Sequence, residues 1–360
     1  FKSTPPMNVS ASSVTPHTAE HHPVLLDEVL DALAPRPGGR YVDGTLGLAG
    51  HASALMERTG GEAWLCGLDR DPQARARAAE RLAPWGDRCR LFASTFDRFA
   101  DALDELGWDT ADGFLLDLGV SSLQLDVAER GFSLHGDGPL DMRMDMGTLP
   151  RPGLAPQTAS ARTLVNRADY HTLKHLIEEY GEDPQAGRIA KAIVEARDRA
   201  PIETTAELAD IVRMAYPAKW RASARNHPAT RTFQALRMAV NDELGQLERF
   251  LDAVLPRLAP GGRIAVISFH SLEDRAVKQR FRLWSTDCLC PPHLPRCVCG
   301  HKAEVRLVTR RPILPTREES IRNPRASSAK LRVAEKTGGA EATPPPVAHG
   351  ESSARRSDHE

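Results

Sequence analysis

The sequence predicts an α/β protein built on a parallel sheet, with an inserted all-helical subdomain. Short apolar runs alternate with helical stretches along the chain, which is the pattern of βαβ units. The fourth run ends at residue 118 and the fifth begins at residue 262. That interval is far longer than an ordinary connection between strands, so we expect a separate structural unit within it.

Five apolar runs are the predicted strands. The first two each end in an acidic residue, Asp43 and Asp69. The helix that leads into the fifth strand, 241–258, has an apolar face and is predicted to end at the turn 260–262, Pro-Gly-Gly. In chain order, the predicted strands are 40–43, 63–69, 90–93, 113–118 and 262–268.

The inserted unit is predicted at 140–225. Apolar residues recur there at helical spacing, and Thr204 with Glu207 forms a capping box before one helix. The flanking segments 21–139 and 226–335 form the sheet domain. Residues 1–20 and 336–360 are rich in Ser, Thr, Pro, Ala and Gly, and are predicted to be disordered tails. The helical stripes are Leu173, Leu176, Ile177 and Tyr180, then Ile189, Ile193 and Val194, then Leu208, Ile211 and Val212.

Composition limits the classes of protein to which the chain can belong. The 360 residues are 41% hydrophobic, enough for a large core, and they contain no run of about 18 apolar residues that could span a membrane. No basic and then apolar secretory signal is visible, so we expect a soluble cytoplasmic protein with no membrane association. The formal net charge is −1, so a polyanionic partner would have to bind a local basic patch.

A glycine-rich turn follows the first predicted strand. Gly44, Gly47 and Gly50 open a helix, which lets the backbone approach a ligand closely, although such glycines also serve packing alone. Asp69 ends the second strand, where a fold of this type accepts hydrogen bonds from ribose hydroxyls. Asp69 could instead cap the next helix, a role that Asp71 would also serve. The glycine spacing is not G-x-G-x-x-G, which disfavours a nicotinamide enzyme.

Nine motifs in one order along the chain resemble the RsmH (MraW) family of 16S ribosomal RNA cytosine-N4 methyltransferases. They are His22-Pro-Val-Leu-Leu-Asp-Glu, Tyr41-Val-Asp-Gly-Thr-Leu-Gly, Leu68-Asp-Arg-Asp-Pro-Gln-Ala, Leu115-Leu-Asp-Leu-Gly-Val-Ser-Ser, Glu129-Arg-Gly-Phe-Ser, Gly138-Pro-Leu-Asp-Met-Arg-Met-Asp, His227-Pro-Ala-Thr-Arg-Thr-Phe-Gln-Ala-Leu-Arg, Ile267-Ser-Phe-His-Ser-Leu-Glu-Asp-Arg and Asn323-Pro-Arg-Ala.

The resemblance implies both a fold and an activity. The fold is a Rossmann-like class I S-adenosylmethionine-dependent methyltransferase core, with 140–225 as an inserted substrate-recognition domain. The activity is transfer of a methyl group from S-adenosylmethionine to the exocyclic N4 of a cytidine in the decoding region of 16S ribosomal RNA. The implied partner is that RNA within the small ribosomal subunit, and the sequence does not determine the oligomeric state.

The same resemblance assigns the cofactor contacts. The family usually has Gly-Gly-His where this chain has Ala49-Gly50-His51, and we expect binding to survive the added methyl group. Carried over position by position, the contacts are Ala49, Gly50 and His51 at the glycine turn, Asp69 at the ribose, Phe96 near the adenine, and Asp117 and Gln124 beyond the fourth strand.

The loop after the fourth strand holds the candidate catalytic residues. Cytosine N4 is a poor nucleophile because its lone pair is delocalised, so an acceptor must hold the amino hydrogens while the lone pair turns toward the methyl group. Asp117, Ser121 and Ser122 lie where amino-methyltransferases usually place such acceptors. Asp117 could instead only hold the cofactor, and the two serines could only cap the turn.

Two basic segments are candidates for RNA contact, with solvated helix faces as the alternative. Residues 301–332 contain nine Lys or Arg against three Glu. In the other segment, basic residues surround two aromatic ones: Lys219, Arg221, Arg225, Arg231 and Arg237 around Trp220 and Phe233.

Further residues are candidates for the walls of the site. The charged segment 138–145, with methionines that look exposed, suits a substrate cleft, and a solvated loop is the alternative. His270 and Glu273 follow the fifth strand, at the edge of the sheet where ligands of open α/β folds gather. A single histidine in that position is as often structural.

Four of the six cysteines form two C-x-C pairs, at 288 and 290 and at 297 and 299. Four thiolates in this arrangement could bind one zinc ion, although C-x-x-C is the commoner spacing. A redox-labile thiol cluster and an incidental cysteine-rich loop are the alternatives. No metal is assigned to the predicted catalytic site.

Two other functions compete with an RNA methyltransferase. One is a non-catalytic ribosome-assembly factor that retains the cofactor fold. The other is an amino-methyltransferase acting on DNA or protein, and the absence of a Pro-Pro-aromatic motif after the fourth strand disfavours DNA.

Overall fold

The computed structural model describes residues 22–134, 136–149, 159–223, 227–291, 294 and 296–338. Its strands are β1 Arg40–Asp43, β2 Trp64–Asp69, β3 Cys89–Ala93, β4 Ala111–Asp117, β5 Leu258–Ser268, β6 Val305–Leu307 and β7 Lys330–Lys336. They form one sheet in the order β3-β2-β1-β4-β5-β7-β6. The first five pair in parallel, which confirms the predicted α/β, Rossmann-like fold class.

All five predicted strands are present, with small differences at their ends. The largest difference is in β5, which begins at Leu258 and therefore contains the turn 260–262 that was predicted to precede it. The pairing of β5 with β4 is irregular there, because Ala111 pairs with Leu258 whereas Gly113 pairs with Arg263. The Pro-Gly-Gly segment thus forms an irregularity within the strand pairing.

Two antiparallel strands, β6 and β7, complete the sheet and were not predicted from the sequence. β7 lies between β5 and β6 in space, although it follows both in the chain. It buries Leu331 and Val333 and ends at Lys336, the first residue of the predicted C-terminal tail. Lys336 is therefore part of a strand, whereas residues 1–20 and 339–360, where the tails were predicted, lie outside the described residues.

Helices cover the sheet and form a separate cluster beside it. The predicted stripes lie on α7, α8 and α9 below, and the capping box of Thr204 and Glu207 is confirmed at the start of α9. The helices are α1 Leu26–Leu33, α2 Gly50–Arg58, α3 Pro72–Leu82, α4 Phe99–Leu106, α5 Ser122–Asp126, α6 Ala161–Arg167, α7 Tyr170–Glu179, α8 Ala186–Arg197, α9 Thr205–Ala215, α10 Ala218–Ser223, α11 Thr230–Asn241, α12 Glu243–Arg257, α13 Ser271–Trp284 and α14 Arg317–Arg322.

The helical cluster has its own hydrophobic core. Leu164, Leu173, Ile189 and Leu208, from α6 to α9, are fully buried within it. The same core also takes in residues on both sides of the predicted unit, including Phe132 before residue 140 and α11 after residue 225. The limits at 140 and 225 stay a prediction. None of the helices in the described ranges is long and apolar enough to cross a membrane.

Candidate active site

A cavity lies where the carboxyl ends of β1, β2 and β4 meet. The strand order reverses between β1 and β4, and ligands of open α/β sheets bind at such a switch point. The cavity is lined by the segments 44–48, 69–71, 94–96 and 117–121. The predicted cofactor residues that line it are Gly50, His51, Asp69, Phe96, Asp117 and Gln124. Ala49 is fully buried outside this lining.

Asp69 anchors the glycine turn to the end of β2. Its Oδ2 accepts a hydrogen bond from the N–H of Gly47 at 2.7 Å, and its Oδ1 accepts one from the N–H of Asp71 at 2.8 Å. Burial raises the pKa of Asp69 and these two N–H groups oppose the rise. Each carboxylate oxygen has a further acceptor site, so Asp69 can still accept hydroxyl groups.

The helix-capping role belongs to Asp71. Its Oδ1 accepts hydrogen bonds from the N–H of Gln73 at 2.9 Å and of Ala74 at 3.4 Å, at the start of α3. The sequence left open which of the two acidic residues caps the helix, and the structure gives them different positions. Asp71 caps α3, and Asp69 lies at the cavity.

Asp117, at the end of β4, presents an unsatisfied carboxylate oxygen. Its Oδ1 is buried and has no hydrogen-bond partner among the described residues, while Oδ2 lies 3.8 Å from His51 Nδ1. Burial, with repulsion from Asp43 and Glu273, raises the pKa of Asp117 to about 8. Its own backbone N–H donates to Thr45 Oγ1 at 2.6 Å. An unpaired buried acceptor costs about 1–3 kcal/mol, which a ligand that donates a hydrogen bond would recover.

The glycine turn combines close packing with a strained backbone. Ala49 precedes α2 with φ 58°, in the left-handed region that costs an L-residue about 1–2 kcal/mol. A Cβ on Gly50 would lie 2.4 Å from Pro23 Cγ, so only glycine fits there. The ring of His51 is held by a 2.8 Å hydrogen bond between Nε2 and the carbonyl of Val24. Because Ala49 does not line the cavity, its methyl group does not narrow it.

The loop after β4 is braced by a capping box. Ser121 Oγ accepts from the N–H of Gln124 at 3.3 Å, and Gln124 Oε1 accepts from the N–H of Ser121 at 3.1 Å. Ser121 therefore caps α5, which agrees with the alternative that this serine caps the turn. The side chain of Ser122 lies outside the described residues. Phe96 is buried, with its ring 5.9 Å from that of Phe250 in an edge-to-face contact.

Comparison with models of known protein families identifies the family of this chain. A model of the MraW methylase family matches residues 18–337. The chain belongs to that family. It is therefore an S-adenosylmethionine-dependent methyltransferase, as predicted from the motifs.

Individual relatives of this MraW-family methylase match over nearly their whole length. "Ribosomal RNA small subunit methyltransferase H" of Nitratidesulfovibrio vulgaris (strain DP4) is 63% identical over 92% of this chain and 98% of the relative. The protein of that name in Lawsonia intracellularis is 52% identical over 88% of this chain and 99% of the relative. A solved structure, a putative rRNA methylase from Clostridium thermocellum, aligns over 88% of this chain and 99% of that chain at 11% identity. The TM-score of this alignment is 0.39.

Sequence reasoning missed a buried ion pair in which one member, Asp71, lines the cavity of the methylase. Arg130 Nη1 donates to Asp71 Oδ2 at 2.8 Å, and the two side chains are 5% and 1% exposed. Gln124 Nε2 donates to the same oxygen at 3.1 Å, and Arg130 also donates to the carbonyl of Met144 at 2.9 Å. The pair joins the start of α3 to the segment after β4. Arg130 belongs to a family motif, but no local pattern distinguishes it from a surface arginine.

Two sequence interpretations of the methylase are wrong about exposure. Met142 and Met144, expected at the surface, are buried in the core of the helical cluster, and only Met144 also lines the cavity. In the basic segment 219–237, Phe233 is buried and Arg237 forms a largely buried pair with Glu243 at 2.8 Å. These side chains pack against elements distant in the chain, so neither Phe233 nor Arg237 forms part of a surface patch.

His270 caps a helix, which is a structural role of the kind given as the alternative in the sequence analysis. Its Nδ1 accepts from the N–H of Glu273 at 3.5 Å, at the start of α13, and its Nε2 lies 3.1 Å from Glu273 Oε1. Glu273 itself is buried and lines the cavity of the methylase.

Proposed function

We propose that this MraW-family methylase transfers a methyl group to the exocyclic N4 of a cytidine in the decoding region of 16S ribosomal RNA. The reaction takes place in the cytoplasm, on RNA within the small ribosomal subunit. The observation that carries the proposal is the unpaired Oδ1 of Asp117 at the cavity. An amino group that must release a hydrogen and expose its lone pair needs such an acceptor.

The cavity suits the methyl donor. When bound, S-adenosylmethionine supplies an electrophilic methyl group on a sulfonium cation. The lining carboxylate of Glu273, whose pKa is lowered, against the effect of burial, by His270 and Arg237, favours positive charge, and the ionised form of Asp117 adds to this. Two of the three lining arginines bond to other side chains, since Arg70 donates to Gln246 Oε1 at 2.8 Å and Arg325 pairs with Asp126. We assign the ribose hydroxyls to the remaining acceptor sites of Asp69.

Other residues complete the proposed donor site. Phe96 offers an apolar surface for the adenine, and the turn at Ala49, Gly50 and His51 holds the methionine portion. Gln124 is fixed by the capping box with Ser121, so its contact with the donor is through a preorganised side chain.

Asp117 is the proposed hydrogen-bond acceptor for the cytidine amino group. Its carboxylate is held by the hydrogen bond from its backbone to Thr45 and by the neighbouring His51 ring. With a pKa of about 8, Asp117 accepts the amino proton in its ionised form, whose fraction grows as the pH rises toward 8, and then releases the proton to water. Ser121 and Ser122 are secondary candidates, because the oxygen of Ser121 already accepts the cap hydrogen bond.

A basic segment leads to the cavity and is the proposed RNA surface. Four exposed arginines, 310, 311, 317 and 322, form no ion pair within the part of the chain that the structure describes. Directly after them, Asn323 and Arg325 line the cavity. Phosphate contacts here would position the RNA, and the helical unit 140–225 would recognise its shape. Replacing Arg310 and Arg311 by Glu should weaken RNA binding and reduce its salt dependence.

The test is methyl transfer from labelled S-adenosylmethionine to small ribosomal subunits that lack the modification, followed by nucleoside analysis. N4-methylcytidine is expected with the wild type. Asp117→Asn should lower the rate by about 10²–10⁴-fold while donor affinity changes only a few-fold. Asp112→Asn is the matched control, because Asp112 lies near the amino end of the same strand, opposite the end that reaches the cavity, and pairs with Arg36.

Three outcomes would contradict the proposal. A different methylated nucleoside would exclude N4 of cytidine. Transfer by Asp117→Asn at the wild-type rate would remove Asp117 from the reaction. Wild-type protein that binds the donor and the subunit but transfers nothing would favour a non-catalytic assembly factor.

A further inference from the structure

The loop between α13 and β6 gathers four sulfur atoms, away from the cavity. The Sγ atoms of Cys288, Cys290, Cys297 and Cys299 lie within 4.8 Å of one another. Measured separations are 3.4 Å between Cys288 and Cys297, 3.5 Å between Cys297 and Cys299, and 3.9 Å between Cys299 and Cys288. In a tetrahedral zinc site with Zn–S distances of about 2.3 Å, the sulfurs are about 3.8 Å apart.

The two C-x-C pairs brace each other through backbone hydrogen bonds to sulfur. The N–H of Leu289, inside the first pair, donates to Cys299 Sγ at 3.3 Å. The N–H of Val298, inside the second pair, donates to Cys290 Sγ at 3.3 Å. The arrangement is reciprocal, because the middle residue of each pair serves the second cysteine of the other. Such N–H donors stabilise thiolate charge and orient metal ligands.

This loop has no hydrophobic core of its own. None of the residues described between 285 and 304 is buried, and Val298 is 80% exposed. Its base is held by local hydrogen bonds, from the N–H of Glu304 to the carbonyl of Trp284 at 2.8 Å and between His301 Nδ1 and the carbonyl of Thr286 at 2.7 Å. The tip therefore needs another source of stability, which a bound metal supplies in small coreless units.

We propose that Cys288, Cys290, Cys297 and Cys299 bind one zinc ion as a structural tetrathiolate site. The ion replaces the protons of the four thiols, which pass to water, and no oxidation occurs. Four protein ligands complete the tetrahedron, so no position is open for a substrate. The site orders the tip of the loop and is separate from methyl transfer.

The test measures metal content and ligand chemistry in the full-length chain. Protein is purified under reducing conditions from zinc-supplemented cells, and zinc is measured by mass spectrometry. We expect about one zinc per chain in the wild type and at least a tenfold lower content in Cys290→Ser and Cys299→Ser. Cys89→Ser is the matched control, since Cys89 is a free cysteine outside the cluster, and it should keep its zinc.

A second readout does not depend on the variants. Zinc is removed from the wild type and replaced by Co²⁺, and tetrahedral thiolate ligation should appear as intense sulfur-to-cobalt absorption together with visible d–d bands. Absence of these bands, with the four thiols of the cluster free and no zinc uptake at micromolar zinc, would overturn the proposal. Two disulfides among the four cysteines, in protein purified under reducing conditions with zinc present, would overturn it as well, in favour of a redox cluster.

Discussion

Replacing Arg130 by Met tests the buried ion pair between Arg130 and Asp71 at the cavity. The substitution removes the guanidinium but keeps an apolar side chain of similar length, and it leaves the Asp71 carboxylate 1% exposed without its charged partner. Removing one member of a buried pair costs about 3–5 kcal/mol. The donor that remains on Oδ2 is Gln124 Nε2 at 3.1 Å, and Oδ1 keeps the N–H groups of Gln73 and Ala74; all of these are neutral and compensate only in part. We therefore expect the free energy of unfolding to fall by about 3–5 kcal/mol, a large fraction of the usual 5–15 kcal/mol.

The same substitution should weaken binding of the methyl donor. The N–H of Asp71 donates to Asp69 Oδ1 at 2.8 Å, so a displaced Asp71 also displaces the proposed ribose acceptor. Urea unfolding followed by circular dichroism gives the stability, and calorimetry gives the donor affinity of the folded variant. Loss of stability with unchanged affinity would show that Asp69 is positioned independently of the pair.

Two controls make the stability result specific. Arg98→Met removes an exposed partner of Asp101, where the side chains are 62% and 63% exposed, and should cost less than about 1 kcal/mol. Adding Asp71→Asn to Arg130→Met removes the uncompensated charge and should restore part of the lost stability. The reasoning fails if Arg130→Met costs no more than Arg98→Met, or if the double variant is less stable than Arg130→Met alone.

Three further predictions concern pH, packing and the glycine turn. The free energy of unfolding should decrease as the pH rises from about 4 to about 8, because folded Asp117, with a pKa of about 8, keeps a proton that the unfolded chain releases near 3.8. Urea titrations across this range should give a shallower decrease for Asp117→Asn, and equal slopes would contradict the raised pKa. Gly131→Ala should lower the free energy of unfolding by about 1–3 kcal/mol more than Gly60→Ala does. Both glycines have positive φ, but a Cβ on Gly131 would lie 2.3 Å from the carbonyl oxygen of Pro139, whereas a Cβ on Gly60 would have no atom within 4 Å. Thermal and urea unfolding of the two variants measures the difference, and equal losses would refute the steric argument. Ala49→Gly should change stability by less than about 1 kcal/mol, because relief of the left-handed backbone, about 1–2 kcal/mol, is offset by the lost burial of a methyl group, about 0.8 kcal/mol. Donor affinity should stay unchanged in calorimetry, and a marked increase would mean that the methyl group obstructs the site.

The sequence by itself determined the features that depend on near neighbours in the chain. Apolar periodicity located the five parallel strands and the stripes of α7 to α9, and the spacing of Thr204 and Glu207 located a helix start. The motifs identified the family, and most of the residues carried over from it line one cavity because the ends of parallel strands share one edge of the sheet.

Only the tertiary structure decided which polar groups are buried and with whom they pair. The sequence could not tell that Arg237 and Arg130 are buried, that Met142 is core, or that β7 lies between β5 and β6. Arg130 and Asp71 are 59 positions apart, and their contact exists only after α3 and the segment following β4 have packed together. A charged residue carries no local mark of burial, because burial depends on which distant elements cover it and on whether they bring an opposite charge.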